Sequence, residues 1–184
     1  MQPDGQGKAA RGGRRDEDFQ AFAAARARAL YRSACLLAGG DTHLAEDLVQ
    51  ETLGRIYAQW HRTSWFGGKR RIDNPAGYAH TVLVRVFLSH RGRRSSGERP
   101  VGAVPDGEAP QGDPELRLAL MDALGRLAPR DRAVLVLRYW EDRSVEETAA
   151  ILHLTPGAVR TQAFRALGRI RGVLGDSLGE PAGR

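Results

Sequence analysis

Cysteine is nearly absent. Cys35 is the only one in 184 residues, which excludes an internal disulfide or a thiolate zinc site and makes a reducing, cytoplasmic setting the expectation. Flanked by Ala34, Leu36 and Leu37, its thiol reads as a small buried hydrophobe. Long apolar runs are missing too. Ala133 to Leu137 is a run of five and none is longer, whereas a membrane span needs roughly 18 apolar residues. Catalytic signatures are also lacking: His43, His61, His80, His90 and His153 are scattered, and there is no HExxH, no Cys-His cluster, no P-loop and no dinucleotide fingerprint. The sequence therefore predicts no enzyme, no metal site and no cofactor. Lysine is scarce, since 26 of the 28 cations are Arg. Against 22 acids they leave a formal charge of +6, and the planar donor fork of Arg suits phosphates and base edges, so a polyanionic partner is expected. Arg usage by itself could equally be compositional bias.

Composition divides the chain into an all-α arrangement of two small helical domains joined by a flexible linker. Residues 1–15 read as a disordered basic tail, rich in Gly and without the apolar segment of a secretory signal. Residues 16–94 form a first helical unit and residues 114–175 a second, with a C-terminal tail over 176–184. Between the units, residues 95–113 (SSGERPVGAVPDGEAPQGD) mix Gly, Pro and acids with no 3.6-residue period, the mark of a connector.

In the first unit a helix over Phe19–Leu37 is stopped by Gly39-Gly40. Asp41 or Thr42 then caps a second helix whose apolar stripe is Leu44, Leu48, Val49, Thr52, Leu53, Ile56, Tyr57 and Trp60. Asp47, Gln50, Glu51 and Arg55 fall on its other side, which composition alone assigns to an ordinary solvated face. Asn74-Pro75 predicts the start of a third helix, with Tyr78, Val82, Leu83, Val86 and Phe87 inward. Between the second and third helices, HRTSWFGGKRRID sets Trp65 and Phe66 beside Lys69, Arg70 and Arg71. Rings that stack on unpaired bases, next to cations that hold phosphates, are what a single strand requires. The alternative is that the rings fold back on the core.

The second unit begins with a helix over Leu116–Leu127 after Pro114-Glu115, and Pro129 starts another. Ser144-Val145-Glu146-Glu147 spells a capping box for a short helix ending near Leu152. His153 and Leu154 make a turn, Thr155 caps again, and Pro156 takes the first position of a helix running to about Arg171. Two short helices with so brief a joint describe a helix-turn-helix, whose second helix enters the major groove with its N-terminal residues against base edges. Arg160, Thr161 and Gln162 are the natural readers, with Arg165 and Arg169 at the groove margin or on phosphates. Phe164, a ring amid this polar face, either packs beneath the domain or protrudes.

Three stretches together resemble a known family. AEDLVQETLGRIYAQW (45–60), NPAGYAHTVLVRVFLSHRGRR (74–94) and LAPRDRAVLVLRYWEDRSVEETAAILHLTPGAVRTQAFRALGRIR (127–171) are similar to the signature stretches of extracytoplasmic-function (ECF, group IV) RNA polymerase sigma factors, most of all the short, Arg-rich actinobacterial, SigE-like members. The resemblance implies a sigma-2-like bundle and a sigma-4-like helix-turn-helix, directing promoter-specific transcription initiation. It implies as partners the beta prime clamp helices and beta flap of core polymerase, promoter DNA and a candidate anti-sigma factor, with no membrane. It assigns core docking to Asp47, Gln50 and Glu51. It assigns capture of the melted minus-ten strand to Trp65, Phe66, Arg70, Arg85, Ser89 and His90, and minus-thirty-five duplex reading to Thr155, Arg160, Thr161, Gln162, Arg165 and Arg169. Arg85, Ser89 and His90 depart from the residues usual there, so minus-ten sequence preference does not carry over. His153 stands where Gly is frequent, and Ala163 where a larger apolar residue is usual, with Phe164 as the candidate replacement bulk. A stand-alone helix-turn-helix regulator is the alternative; an inactive sigma-like decoy is another.

Overall fold

The computed structural model describes residues 5–62, 74–93 and 113–177. Among them every regular element is helical. Helix α1 spans Gly5–Ala38, α2 Thr42–Arg62, α3 Pro75–Arg93, α4 Pro114–Arg126, α5 Pro129–Leu135, α6 Val145–Leu152 and α7 Pro156–Ser177. After Leu135, α5 widens into an i→i+5 turn over Val136–Trp140.

Local chemistry sets the boundaries. Helix α1 ends on Gly39 and Gly40, both at positive φ, with the Gly40 amide donating to the Cys35 carbonyl at 3.0 Å and the Gly39 amide to Leu36 at 3.2 Å. This Schellman geometry satisfies two of the four orphan carbonyls at the helix end. Asp41, not Thr42, caps α2, accepting from the Leu44 amide at 2.9 Å. Asn74 caps α3 through the Gly77 amide at 2.8 Å, and Asp113 caps α4 through Glu115 at 2.9 Å. Each acceptor occupies a donor that would otherwise face only water, worth about 1 kcal/mol per cap.

Helices α1, α2 and α3 pack into one bundle, while α4, α5 and α6 pack around α7 in a second. Leu30 and Leu37 of α1, Leu48 and Ile56 of α2, and Leu83, Val86 and Phe87 of α3 are fully buried. In the second bundle Val134, Val159 and Ala166 are likewise enclosed. Cys35 is buried, as its apolar neighbours predict.

The structure differs from the sequence reading at both ends and at the seam. Residues 5–15, expected in a disordered tail, extend α1. At the far end α7 continues past Arg171 to Ser177, because Val173 and Leu174 still pack on the core. The connector as far as residue 112 and the tail from residue 178 lie outside the described residues. Tyr57, expected on the apolar stripe, is instead 42% exposed; its ring packs edge-on to Phe19 and its hydroxyl reaches Asp16 at 3.1 Å. Finally, the two bundles meet directly: α1 packs on α4, α5 and the widened turn, and α3 packs on α5.

Candidate nucleic-acid and polymerase interfaces

Helix α6 opens with the predicted capping box. Ser144 Oγ accepts from the Glu147 amide at 2.9 Å and Glu147 Oε2 accepts from the Ser144 amide at 2.8 Å. The Ser144 amide, with Arg143 nearby, holds the Glu147 carboxyl below its ordinary range. The helix ends on His153 at φ 54° and ψ 49°, a left-handed cap that His tolerates better than most residues. Thr155 Oγ1 then accepts from the Ala158 amide at 3.2 Å, starting α7 behind Pro156. Ala149, Leu152, Val159 and Ala163 are buried between the two helices. The turn is therefore fixed by local hydrogen bonds and a small apolar joint.

This joint decides what α7 shows to solvent. With Val159, Ala163, Ala166 and Ile170 turned inward, a 3.6-residue period leaves Arg160, Thr161, Phe164 and Arg165 on the outer face, and all four are exposed. Gln162 is set apart on the flank, half-buried. Phe164 is 79% exposed, so it protrudes and does not supply bulk behind Ala163. Sequence reasoning left that ring open between two orientations; the structure puts it in the middle of the basic face. Two neighbours also escaped the sequence. Glu146 lies 3.5 Å from the Arg160 guanidinium, and Asp131 on α5 holds Arg169 at 2.8 Å. Arg160 thus has an exposed, weak partner, whereas Arg169 is tied back to its own domain by a mostly buried carboxylate.

In the first bundle, Asp47 and Gln50 are exposed on α2, and Glu51 is half-buried with its carboxylate 2.6 Å from Arg55. These three share one face, three and four residues apart. On α3, Arg85 and Ser89 stand one turn apart on its exposed side, but His90 is half-buried and turned elsewhere. Trp65, Phe66 and Arg70 lie outside the described residues. The C-terminal end of α2 is held by an aromatic cluster in which Phe19 and Phe22 of α1 contact Trp60, and Asp16 lies 3.0 Å from His61.

Comparison with known proteins settles the family. The sequence profile "Sigma-70, region 4" matches residues 117–170, the stretch that builds α4 to α7. The chain is 37% identical over 158 residues to an RNA polymerase sigma-E factor of Streptomyces coelicolor, covering 84% of each chain. It is 34% identical over 134 residues to the RNA polymerase sigma factor CarQ of Myxococcus xanthus, covering 72% of this chain and 76% of that one. The chain belongs to the ECF sigma factors of RNA polymerase. A solved structure of the sigma factor RpoE in complex with the anti-sigma factor NepR, from Bartonella quintana, matches with a TM-score of 0.65 and 25% identity, over 86% of this factor and 97% of that chain. Membership favours a sigma factor over the stand-alone regulator. Among the described residues of the factor, no helix is long and apolar enough to cross a membrane, and no group of three or more His, Cys, Asp or Glu side chains could hold a metal ion.

Proposed function

We propose that residues 16–94 bind core polymerase and the melted minus-ten strand, and that residues 114–175 read the minus-thirty-five duplex, in a cytoplasmic factor that directs initiation without catalysing a step itself. The observation that carries this division is the outer face of α7, where Arg160, Thr161, Phe164 and Arg165 project together from a capped helix-turn-helix. Arg160 can fork onto a guanine and Thr161 can meet a base edge or a thymine methyl. Phe164 adds an apolar surface suited to the same methyl group. Arg165 serves bases or phosphates, and Thr155, at the helix N-terminus, is placed for the backbone. Gln162 on the flank and Arg169, tethered to Asp131, are secondary members of the set.

The α2 face that carries the exposed Asp47 and Gln50 and the half-buried Glu51 is the docking surface for the beta prime clamp helices, and the second unit approaches the beta flap. Arg85 and Ser89 line the path of the captured strand, and Trp65, Phe66 and Arg70 supply stacking and phosphate contacts. Extruding a base costs a few kcal/mol, and stacking on a ring returns about 1 to 3 kcal/mol per base, so capture offsets melting. The solved relative bound to NepR supports an anti-sigma factor as a further partner. Charge reversal at Asp47 together with Glu51 tests the docking face: core association is lost while affinity for duplex DNA is kept. Unchanged association would remove that assignment.

A further inference from the structure

The two acids in the first turn of α6 are placed for different work. Glu147 closes the capping box and lies 3.3 Å from Arg143. Glu146 takes no part in the cap. Its carboxylate crosses to the next helix, where Oε1 lies 3.5 Å from Nη2 of Arg160. The side chains of Glu146 and Arg160 stay largely in water, at 68% and 64% exposure, and an ion pair so exposed adds little to the stability of a fold. A carboxylate in the first turn also favours the helix dipole, but that role does not require it to face α7. The placement of Glu146 bears instead on what the Arg160 guanidinium can still reach. Arginine carries five N–H donors in a planar fork, so one amino group turned toward Glu146 leaves the rest of the fork available on the outer face of α7.

We propose that Glu146 is a positioning residue that sets the specificity of the minus-thirty-five reader: it buttresses Arg160 for a guanine and denies the same guanidinium to phosphate. The inference rests on the duplex reading proposed above. An arginine meeting a duplex finds two kinds of acceptor. Phosphate oxygens are abundant and carry no sequence information, whereas guanine O6 and N7 take the fork in pairs. In a helix-turn-helix the first helix crosses the sugar-phosphate backbone while the second enters the groove. A carboxylate at the start of α6 that leans toward α7 therefore stands on the backbone side of Arg160. There it repels phosphate and fills the guanidinium edge that a phosphate would take. It also narrows the rotamers of a long side chain before binding, so less freedom is lost when the fork meets a base. Glu146 thus lowers affinity for DNA in general and raises discrimination.

The test uses holoenzyme assembled from the full chain and core polymerase, with a pool of duplexes whose central segment is randomised. Sequencing the bound fraction gives the base preference at each pair, and one duplex of scrambled sequence gives the non-specific affinity. Parent, Glu146→Gln, Arg160→Ala and the double variant are compared at a single salt concentration, because phosphate binding is salt-dependent. Arg160→Ala identifies the pair that Arg160 reads, by loss of the guanine preference there. At that pair Glu146→Gln should lower the preference at least roughly threefold, while affinity for the scrambled duplex rises roughly two- to threefold through removal of one like charge near phosphates. Added to Arg160→Ala, it should change nothing further at that pair, as expected of a residue that acts through Arg160. A melting temperature that falls in Glu146→Gln while the guanine preference keeps its parent value would reduce Glu146 to a helix-dipole charge and overturn the proposal. So would a preference that weakens evenly at every pair. If the parent enriches no base at any pair, the duplex-reading function falls and the proposal with it; if parent and Glu146→Gln enrich guanine equally, the proposal alone falls.

Discussion

Arg160 and Arg169 carry the same charge on the same helix, yet their surroundings give them different work. Arg160 faces solvent with only the exposed Glu146 at 3.5 Å, while Arg169 is held at 2.8 Å by Asp131, a carboxylate that is 16% exposed. Arg160→Ala should weaken binding at one duplex position by about 1 to 3 kcal/mol and relax its specificity. Arg169→Ala should weaken all sequences evenly, through lost positive charge and a loosened α5 to α7 contact. Binding measured across single-base variants of the duplex distinguishes the two; equal, uniform losses would demote Arg160 to a phosphate contact.

Glu141 is sensitive to acid. Burial opposes its charge, but the contacts from His80 and Ser33 and the field of Arg143 outweigh burial and hold the carboxyl below its ordinary range. A depressed carboxylate stabilises the fold above its unfolded value, and that contribution is lost as pH falls through the folded value. Glu141→Gln should therefore cost about 1.5 to 3 kcal/mol near neutrality, with the gap between parent and variant melting temperatures narrowing as pH drops below the carboxylate range. A gap that stays constant or widens in acid would contradict this.

At the scale of elements, the helix ends were the legible part. Ser144 with Glu147, Thr155 before Pro156, and Asn74 before Pro75 announce caps because each works through the amide three residues away, within reach of a sequence pattern. The direction of Phe164 was not legible, since its place between inward Ala163 and outward Arg165 is compatible with either side until the packing of Val159 and Ala163 fixes the helix rotation. Arg132 was less legible still: its partner at Leu37 is a backbone carbonyl 95 residues away, and a carbonyl leaves no trace in residue identity. The only signal was an Arg beside an apolar run. The left-handed cap at His153 gives a test at this scale. His153→Gly should keep or raise stability by up to about 1 kcal/mol, and His153→Val should lower it by roughly 1 to 2 kcal/mol, measured by denaturant unfolding. The opposite order would mean that the turn is held by the His side chain and not by its backbone.

At the scale of the whole molecule, the sequence predicted two independent units on a flexible tether, and the structure adds a seam in which α1 and α3 meet α4, α5 and the widened turn. Periodicity assigns inward faces but does not say which bundle an inward face meets: Val84, absent from the sequence-derived inward set of α3, is 2% exposed. The division of labour between the halves makes the largest claim, since it requires cation-rich surfaces in both to act on one promoter. The most direct measurement is run-off transcription from a promoter bearing both elements, with purified core polymerase and this chain at low ionic strength. The account predicts a defined transcript that requires the chain, disappears on charge reversal at Asp47 and Glu51, and declines steeply with added salt. Duplex binding with no core association and no transcript would contradict it.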